Sequence, residues 1–503
     1  LNYENQKTIN SDGSSFIYAK NSDITLKENT DISSSNTNVT AIYSEGTGTK
    51  NIINKGKIKL LGGTKKVKDL FIGLKVPREE RSFVPFVENS GNIEVGERST
   101  AIYAENISDI VRNTANIKLG TNSTGISVRN TKLNNTGNIE SGGVNSIKNI
   151  GIYSSGNKGL INSGNITLLG NQSTGIYSEG SNIINTGKIS VGNSADSKNP
   201  SIGIYSKSGK IENSGEISTG NKSVGLYGTD VDLKANTKVT SGDEGTGIYS
   251  TGGTVNLENN SQITVGNNGA TAVYYAGQNG NVISNTDKLN VGNNSSVFTI
   301  RGQNNKVESN STGTVNLRNN SMYMYSTDSS GRITNRTNIA SSGDNNYGIY
   351  SAGKVDNHAN IDFSNGIGSI GMYAYYPKND NYSLSTLGTT PPIPTVTNHS
   401  GSRINVAKSD LSDSKNERYG IGMAAGYTLT NGNRVTQKAI GHIVNYGTIS
   451  VTHANSIGMY ATGRGSIAEN RGRIELSGNK RNIGMYLENG AEGYNYGTIT
   501  TVG

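Results

Sequence analysis

One phrase recurs along the chain and constrains its fold more than any single motif does. The stretch "GIYSEGSNIINTGKISVGN" runs from 175 to 193, and "GIYSKSGKIENSGEISTGN" repeats it from 203 to 221. Copies of the Gly-aliphatic-Tyr phrase follow one another at spacings that fall mostly between 22 and 28 residues. A fixed period of this length is typical of solenoids, in which each repeat contacts only its neighbours.

One period consists of three short stretches in which inward and outward residues alternate, and each stretch ends at Gly or Asn. In "SVGLYG", Val224 and Leu226 share one parity, which we expect to face inward, while Gly225 and Tyr227 share the other. No stretch of useful length shows the 3.6-residue apolar spacing of an amphipathic helix. The sequence therefore predicts an all-β fold, a single-stranded parallel β-helix (β-solenoid) with three strands per coil.

The composition agrees with a thin coil. Only 6% of the residues are aromatic and 32% are hydrophobic, so a conventional thick core is not expected. Strands of successive coils stack at ~4.8 Å, so about 17 coils would give one continuous rod over 1–503 of roughly 80 Å. The first residues lack the features of a signal peptide and the last stop inside a repeat phrase, so we expect a segment of a longer exported chain.

An Asn with inward parity closes the second strand of most coils. Inside the corner, its amide can bond to turn backbone and to the Asn one coil away. We expect Ala235 to depart from this column, and Asn310 and Asn398 to lie out of register. The predicted column consists of Asn54, Asn89, Asn113, Asn135, Asn162, Asn185, Asn213, Asn259, Asn285, Asn335, Asn357, Asn445, Asn470 and Asn495.

The charge and cysteine content exclude several classes of site. Eight lysines between Lys50 and Lys75 stand against one acid, but a nucleic-acid groove needs interleaved stacking aromatics, and only Phe71 is nearby. We therefore expect a solvated basic patch and no nucleic-acid partner. Without Cys the chain has no disulfide or thiolate metal site, and no apolar run reaches the roughly 18 residues that span a bilayer.

An enzyme is a rival interpretation, because many parallel β-helices act on polysaccharides with acids clustered over neighbouring coils. The closest acid pairs here fall in turns or insertions: Asp230 with Asp232, Asp243 with Glu244, Glu79 with Glu80, and Asp410 with Asp413. The four histidines are too scattered for a triad, and His358 and His399 could stack only if the register at Asn398 were repaired. We predict no catalytic residue, no metal, no cofactor and no enzymatic activity.

The repeats also resemble those of a known family. The stretch "GIYSSGNKGLINSGNITLLGNQSTGIYSEG" resembles the passenger regions of the large type V autotransporter adhesins of fusobacteria, and the resemblance covers most of the chain. It implies a surface β-helix exported through a C-terminal barrel, which anchors it in the outer membrane and which this segment does not contain. It also implies adhesion to other bacteria and to host cells, through glycans or receptors that include inhibitory receptors on immune cells. We expect a monomer.

Insertions mark the candidate binding face, because repeat arrays tolerate added residues in turns. Three insertions, at 73–86, 374–395 and 425–438, follow the Gly-aliphatic-Tyr strand and should leave the rod at one corner; a lesser one at 407–420 leaves at another. The second and third should emerge side by side, and "YTLTNGNRVT" predicts a hairpin with a tight turn about Asn431 and Gly432. The candidate partner-binding residues are Tyr375, Tyr376, Tyr382, Tyr427, Asn433 and Arg434.

Other uses of these features remain open at the level of sequence. The outward tyrosines would form a stripe that could bind sugar rings or a protein, or could only pair with one another. The insertions could merely cap a distorted stretch of coils. We predict an adhesin segment, a rigid stalk that presents loops to surface partners; the alternatives are a polysaccharide-active enzyme and a purely architectural spacer.

Overall fold

The computed structural model describes residues 1–45, 51–62, 72–75, 86–107, 109–377, 393–431, 434–477 and 481–502. The chain forms two compact units, residues 1–245 and residues 246–503. Every regular element in the described ranges is a β-strand, and no helix there is long and apolar enough to cross a membrane. The single continuous rod over 1–503 stays a prediction.

In residues 1–245, parallel strands form three sheets. The tyrosine sheet holds the Gly-aliphatic-Tyr strands Ser15–Lys20, Thr40–Glu45, Ile72–Lys75, Thr100–Glu105, Thr124–Arg129, Ile150–Ser155, Thr174–Ser178, Ile202–Ser206 and Val224–Gly228. The asparagine sheet holds Asn2–Tyr3, Ile24–Leu26, Ile52–Asn54, Val87–Asn89, Ile110–Asn113, Lys132–Asn135, Leu160–Asn162, Ile183–Asn185, Ile211–Asn213 and Val231–Leu233. The third sheet holds Gln6–Thr8, Asp31–Ser34, Lys57–Leu60, Ile93–Val95, Ile117–Leu119, Ile139–Ser141, Ile166–Leu168, Ile189–Val191, Ile217–Thr219 and Lys238–Ser241.

Residues 246–503 repeat these sheets and add a small antiparallel one. The tyrosine sheet holds Thr246–Ser250, Thr271–Tyr275, Ser296–Ile300, Met322–Ser326, Tyr347–Ser351, Ile370–Ala374, Ile421–Ala425, Ile457–Thr462 and Ile483–Glu488. The asparagine sheet holds Thr254–Leu257, Asn281–Ser284, Lys306–Ser309, Arg332–Asn335, Lys354–Asn357, Thr395–Asn398, His442–Asn445, Ile467–Asn470 and Glu492–Asn495. At the positions of the third sheet, Gln262–Val265 pairs with Leu289–Asn290, and a separate parallel sheet holds Thr314–Leu317, Asn338–Ser341, Ile361–Asp362, Arg403–Asn405, Thr448–Val451, Arg473–Ser477 and Thr498–Val502. The antiparallel sheet holds Tyr376–Pro377, Tyr427–Asn431 and Arg434–Ile440.

Equivalent residues of successive coils are parallel partners. For example, Tyr177 pairs with Tyr205, and Ile176 pairs with Ile204. Three aliphatic residues of one coil, Ile176, Ile183 and Ile189, come one from each sheet and are fully buried, so the core is the narrow space between the three sheets. The predicted fold class is confirmed: the chain is an all-β parallel solenoid of about 18 turns, against about 17 predicted.

The glycine of the Gly-aliphatic-Tyr phrase faces inward, and its predicted outward parity is wrong. A Cβ atom added at Gly175 would come within 2.5 Å of Ile189 Cγ2 in the third sheet. The residue before the glycine lies partly outward instead, as the half-buried Thr174 and Val224 show. At Gly175 the aliphatic side chain of the third sheet occupies the space of the missing Cβ, whereas other coils hold a buried alanine at this position, as at Ala101 and Ala272.

The predicted inward Asn column is confirmed in most coils. Asn54, Asn89, Asn113, Asn135, Asn162, Asn185 and Asn213 are all buried and form one hydrogen-bonded series in residues 1–245. Asn162 is typical: its Nδ2 donates to Asn185 Oδ1 at 2.8 Å and to the Gly164 carbonyl at 2.9 Å. From Asn113 to Asn185, each amide therefore ties its own turn to the next coil.

Three predicted details of the column are wrong. Asn398 is in register, because Asn357 donates to it at 2.9 Å and it donates to Asn445 at 2.9 Å. Asn259 and Asn285 lie outside the column, since the strands end earlier and Leu257 pairs with Ser284 at that position. The departure predicted at Ala235 and the slip predicted at Asn310 are present: Leu233 pairs with Asn213, and Ser309 pairs with Asn335.

The strand Ile72–Lys75 forms part of the tyrosine sheet, where Gly73 pairs with Tyr43 on one side and Tyr103 on the other. It therefore includes the first three residues of the insertion predicted at 73–86. The phrase lacks its tyrosine here, which is why the period gave no signal for it. Residues 76–85 of that insertion, including Glu79 and Glu80, lie outside the described residues.

Candidate functional site

Two of the predicted insertions meet in one antiparallel sheet, which we call the knob: Tyr376–Pro377, Tyr427–Asn431 and Arg434–Ile440. Tyr376 pairs with Ile440, and Pro377 pairs with Ala439. The insertions at 374–395 and 425–438 therefore emerge side by side, as predicted from the single coil between them.

The segment from 427 to 440 is a hairpin, as its alternating sequence predicts. Asn431 pairs with Arg434, which leaves two residues for the connection and places it one residue later than predicted. The register shifts between Tyr427 and Thr428, a bulge of the kind that twists and bends an antiparallel pair. The residues of the connection, Gly432 and Asn433, lie outside the described residues.

Polar contacts fix the base of the knob to neighbouring coils. The Thr428 hydroxyl lies 2.8 Å from that of Thr462, and Asn489 Nδ2 donates to Thr428 Oγ1 at 2.9 Å. On the second strand, Gln437 Nε2 donates to the Arg464 carbonyl at 3.0 Å. The knob is therefore held by groups on the following coils.

A cluster of tyrosines lies beneath the knob. Tyr350 and Tyr373 have ring centroids 5.1 Å apart, Tyr375 lies 5.3 Å from Tyr350, and Tyr427 lies 6.4 Å from Tyr375. The Tyr373 hydroxyl donates to the Gly426 carbonyl at 2.8 Å. Burial, followed by the neighbouring hydroxyls, raises the pKa of Tyr350 and of Tyr373, so both phenols stay protonated near neutral pH.

The predicted binding residues divide into those that the structure places and those that it does not describe. Tyr375 and Tyr427 meet in the tyrosine cluster, while Tyr376 and Arg434 lie on knob strands. Tyr427 is 41% exposed, and the apolar Leu429 and Val435 beside it are 46% and 49% exposed. Tyr382 and Asn433 lie outside the described residues.

The lesser insertion at 407–420 closes on itself. Asp410 and Arg418 form an antiparallel bridge, and Arg418 Nη2 donates to Asp410 Oδ2 at 2.6 Å. Hydrogen bonds from Ser412 and Arg418 lower the pKa of Asp410. This acid, which stands near Asp413 in the sequence, is therefore engaged in holding the loop.

Other acids and histidines weighed for catalysis also have structural partners. Asp232 lies 2.6 Å from Lys210, and Glu244 lies 3.7 Å from Lys222. His358 and His399 do stack, with centroids 4.2 Å apart, because Asn398 is in register. Among the described residues, no group of three or more His, Cys, Asp or Glu side chains is arranged to hold a metal ion.

Outward tyrosines form ladders along the tyrosine sheet. In one unit, Tyr205 stacks on Tyr177 at 4.6 Å and on Tyr227 at 4.9 Å. The ladder positions are filled by other residues at Gly73, Ser127, Thr299 and Ala424, which pair with tyrosines of neighbouring strands. The tyrosines therefore stack on one another, as one of the two interpretations of the sequence predicted. The ladder has gaps where other residues replace tyrosine.

One of these gaps opens into a cavity of about 300 Å³, which we call the Thr299 notch. Its lining includes Tyr274, Asn294, Thr299, Arg301, Asn320 and Tyr325. A second cavity of about 500 Å³ lies where three successive third strands end and is lined by Asn290, Asn293, Asn316, Arg318 and Asn319 among others. Sequence analysis missed both cavities; the only signal was the Thr at a tyrosine position.

Comparison with known proteins gives one family and one short match. The model of the family described as BigA third pectate lyase-like domain matches residues 231–498. A tRNA(Ile)-lysidine synthase of Clostridioides difficile (strain 630) is 62% identical over 42 residues, which are 8% of this chain and 9% of that protein. So short a match transfers no function. No solved structure matches the chain.

The family match agrees with the fold and narrows the class of protein. It covers more than half of the chain, including the coils that carry the notch and the knob. It supports a β-helical surface protein, which is the broader form of the predicted resemblance. The chain belongs to the family of the BigA third pectate lyase-like domain.

Proposed function

We propose that this chain is the surface-displayed stalk of an adhesin, and that the knob binds a partner on host cells or on other bacteria. The observation that carries the proposal is the union of two insertions in one sheet above the tyrosine cluster. The residues of an insertion do not have to stack on neighbouring coils as the repeat residues do. Strands from two insertions that pair in one sheet therefore indicate a surface with a function of its own. The predicted outer-membrane anchor and autotransporter export belong to this proposal.

The chemistry of the knob favours a protein partner there. Exposed Tyr427, Leu429 and Val435 lie on the same hairpin as the exposed Arg434. Aromatic and Arg side chains supply a large share of the energetic hot spots of protein interfaces, and rim residues exclude water around them. We further propose that the chain is not an enzyme, because Asp232, Glu244 and Asp410, three of the described acids considered for catalysis, contact cations.

A pair of matched substitutions tests the knob. Leu429 on the hairpin is 46% exposed, and Ile161 in the asparagine sheet of the other unit is 43% exposed. We expect Leu429→Asp to abolish binding of the labelled chain to epithelial or bacterial cells in flow cytometry, because a charge disrupts an apolar contact. Ile161→Asp should retain binding, and both variants should keep the wild-type melting temperature.

Replacement of 376–394 by a short Gly and Ser turn provides a second test, and it should also abolish cell binding. Retained binding in this variant and in Leu429→Asp would refute the knob as the site. Turnover of a polysaccharide by the wild-type chain, measured by release of reducing ends, would favour the enzyme instead.

A further inference from the structure

The Thr299 notch interrupts a ladder of aromatic rings. Thr299 pairs with Tyr274 on one side and with Tyr325 on the other, so it occupies a ring position. Tyr249 and Tyr274, one step earlier, have centroids 4.8 Å apart. Two such steps leave about 10 Å between the planes of the flanking tyrosines, which is the room for one flat ring. The cavity of about 300 Å³ at this position is lined by Thr299 and by both flanking tyrosines.

A second ladder breaks at the same step. Four Asn residues in left-handed conformation stack at the neighbouring turn: Asn268, Asn294, Asn320 and Asn345. Asn294 Nδ2 donates to Asn268 Oδ1 at 3.4 Å, and Asn345 Nδ2 donates to Asn320 Oδ1 at 3.1 Å. Among the described residues, no hydrogen bond joins Asn320 to Asn294. The side-chain Oδ1 of Asn294, an acceptor, and the side-chain Nδ2 of Asn320, a donor, are exposed and therefore border the notch without the partner that the ladder would give them.

The arginine in the notch differs from its counterpart at another gap. At the Ser127 gap, Arg129 hydrogen-bonds to Tyr103, whose hydroxyl donates to Glu105 at 2.6 Å. At the notch, the Arg301 guanidinium lies 5.8 Å from the centroid of the Tyr325 ring. Within the described part of the chain, Arg301 forms no ion pair with a carboxylate. A cation over an aromatic face, without a counter-ion of its own, is suited to an anionic ligand.

We propose that the Thr299 notch binds an acidic sugar, a six-membered ring that carries a carboxylate. The ring enters the gap in the ladder and presents an apolar face to Tyr274, while the Arg301 guanidinium lies on the Tyr325 side of the gap. Its carboxylate pairs with Arg301. Its hydroxyls bond to Asn294 and Asn320 and to the chain of hydroxyls formed by Thr299, Ser296 and Thr271.

The polarity of the lining favours a sugar over an aromatic side chain of a protein partner. The Thr299 hydroxyl lies 2.8 Å from that of Ser296, which lies 3.0 Å from that of Thr271, so hydroxyls and amides border the stacking surfaces. A ring with hydroxyls on its edge can also hydrogen-bond to Asn294 Oδ1 and Asn320 Nδ2, whereas an apolar ring would displace water from these two atoms and offer them no hydrogen bond. The notch is a site separate from the knob, so this inference does not depend on the knob's partner.

Calorimetric titration of the full chain with glucuronate and with glucose tests the proposal, because the two sugars differ at one carbon. We expect glucuronate to bind in the millimolar range and about tenfold more tightly than glucose, the effect of one charge-assisted pair. Thr299→Tyr should abolish glucuronate binding, because the new ring fills the gap. Arg301→Gln should remove the preference for glucuronate over glucose.

Ser127→Tyr is the matched control, because it fills a different gap of the ladder, where Arg129 and Glu105 both hydrogen-bond to Tyr103. It should leave glucuronate binding unchanged. Arg301 is exposed, so Arg301→Gln decides the question if Thr299→Tyr lowers the melting temperature. The proposal is overturned if glucuronate fails to bind, if glucose binds as tightly, or if a folded Thr299→Tyr variant binds glucuronate as the wild type does.

Discussion

The Asn column is continuous in one unit of the molecule and broken in the other. In residues 1–245, hydrogen bonds join every member from Asn54 to Asn213. In residues 246–503, Leu257, Ser284 and Ser309 occupy the first positions, and the series starts at Asn335. The notch is centred on the coil that carries Ser309 in the column, and the coils of Ser284 and Asn335 flank it. The regular coils repeat one stabilising contact, whereas the irregular coils leave cavities.

The largest expected effect is the loss of one Asn from the continuous series. Asn185 accepts from Asn162 at 2.8 Å and donates to Asn213 at 2.7 Å and to the Gly187 carbonyl at 2.9 Å. Asn185→Leu leaves these buried groups without partners, so we expect the free energy of unfolding to fall by about 1–3 kcal/mol in urea titrations.

Ser284→Leu, at the equivalent position of the broken series, is the comparison. Its neighbours in the column are Leu257 and Ser309, so no Asn amide loses a partner there. We expect a change below about 1 kcal/mol, the size of one ordinary hydrogen bond. Equal losses in the two variants would show that the Asn series contributes no special stability.

A smaller effect on stability is expected when a gap like that at Thr299 is introduced into residues 1–245. Tyr205→Thr would place a threonine between Tyr177 and Tyr227, as Thr299 lies between Tyr274 and Tyr325. It removes the stacking contacts of Tyr205 with Tyr177 and Tyr227, so unfolding should become easier by about 0.2–1 kcal/mol for each pair. Thr299→Tyr should raise the melting temperature for the same reason. An unchanged melting temperature in both variants would mean that the ladder only covers the backbone.

Most of the coil could be predicted because its inward residues repeat in register. The same rule failed where a contact across the core decides the geometry. Gly175 faces inward because Ile189 of another sheet occupies the space of its Cβ, and a period-2 pattern within one strand contains no trace of that contact. Asn398 appeared out of register only because the long insertion before it obscures the count of residues; the parallel pairing with Asn357 restores it.

The candidate sites divide in the same way. The meeting of the two insertions followed from counting coils, and the hairpin followed from its alternation. The attachment of Thr428 to Thr462, and the tyrosine cluster under it, depend on side chains brought together from separate coils. The notch depends on the absence of a tyrosine ring at Thr299 and on the lack of a carboxylate partner for Arg301 among the described residues. Both can be seen only by comparing neighbouring coils, and no single repeat shows them.

The residue that follows the column Asn also separates the two units. In residues 1–245 it is Ser or Thr everywhere except at Lys55, and hydroxyls such as that of Thr114 donate to the Asn backbone carbonyl one coil away, at 3.3 Å to Asn89. In residues 246–503 it includes His358, His399 and Tyr446, which stack at 4.2 and 6.3 Å. The first arrangement does not titrate near neutral pH, whereas the second contains imidazoles.

The smallest expected effect is a pH dependence that belongs to this stack. Burial, then the proximity of His399 and Arg336, lowers the pKa of His358 below its usual value. His358 therefore binds a proton more readily in the unfolded chain than in the folded chain. The folded state has its full stability above the ordinary histidine pKa, and it loses part of that stability as the pH falls towards the lower pKa of His358 in the folded chain. We expect the melting temperature to drop modestly between about pH 7 and pH 5, and His358→Gln to reduce the drop, since glutamine does not titrate. An NMR titration of the His358 ring should show a midpoint below that of a free histidine. A midpoint at or above the free value would remove this distinction between the units.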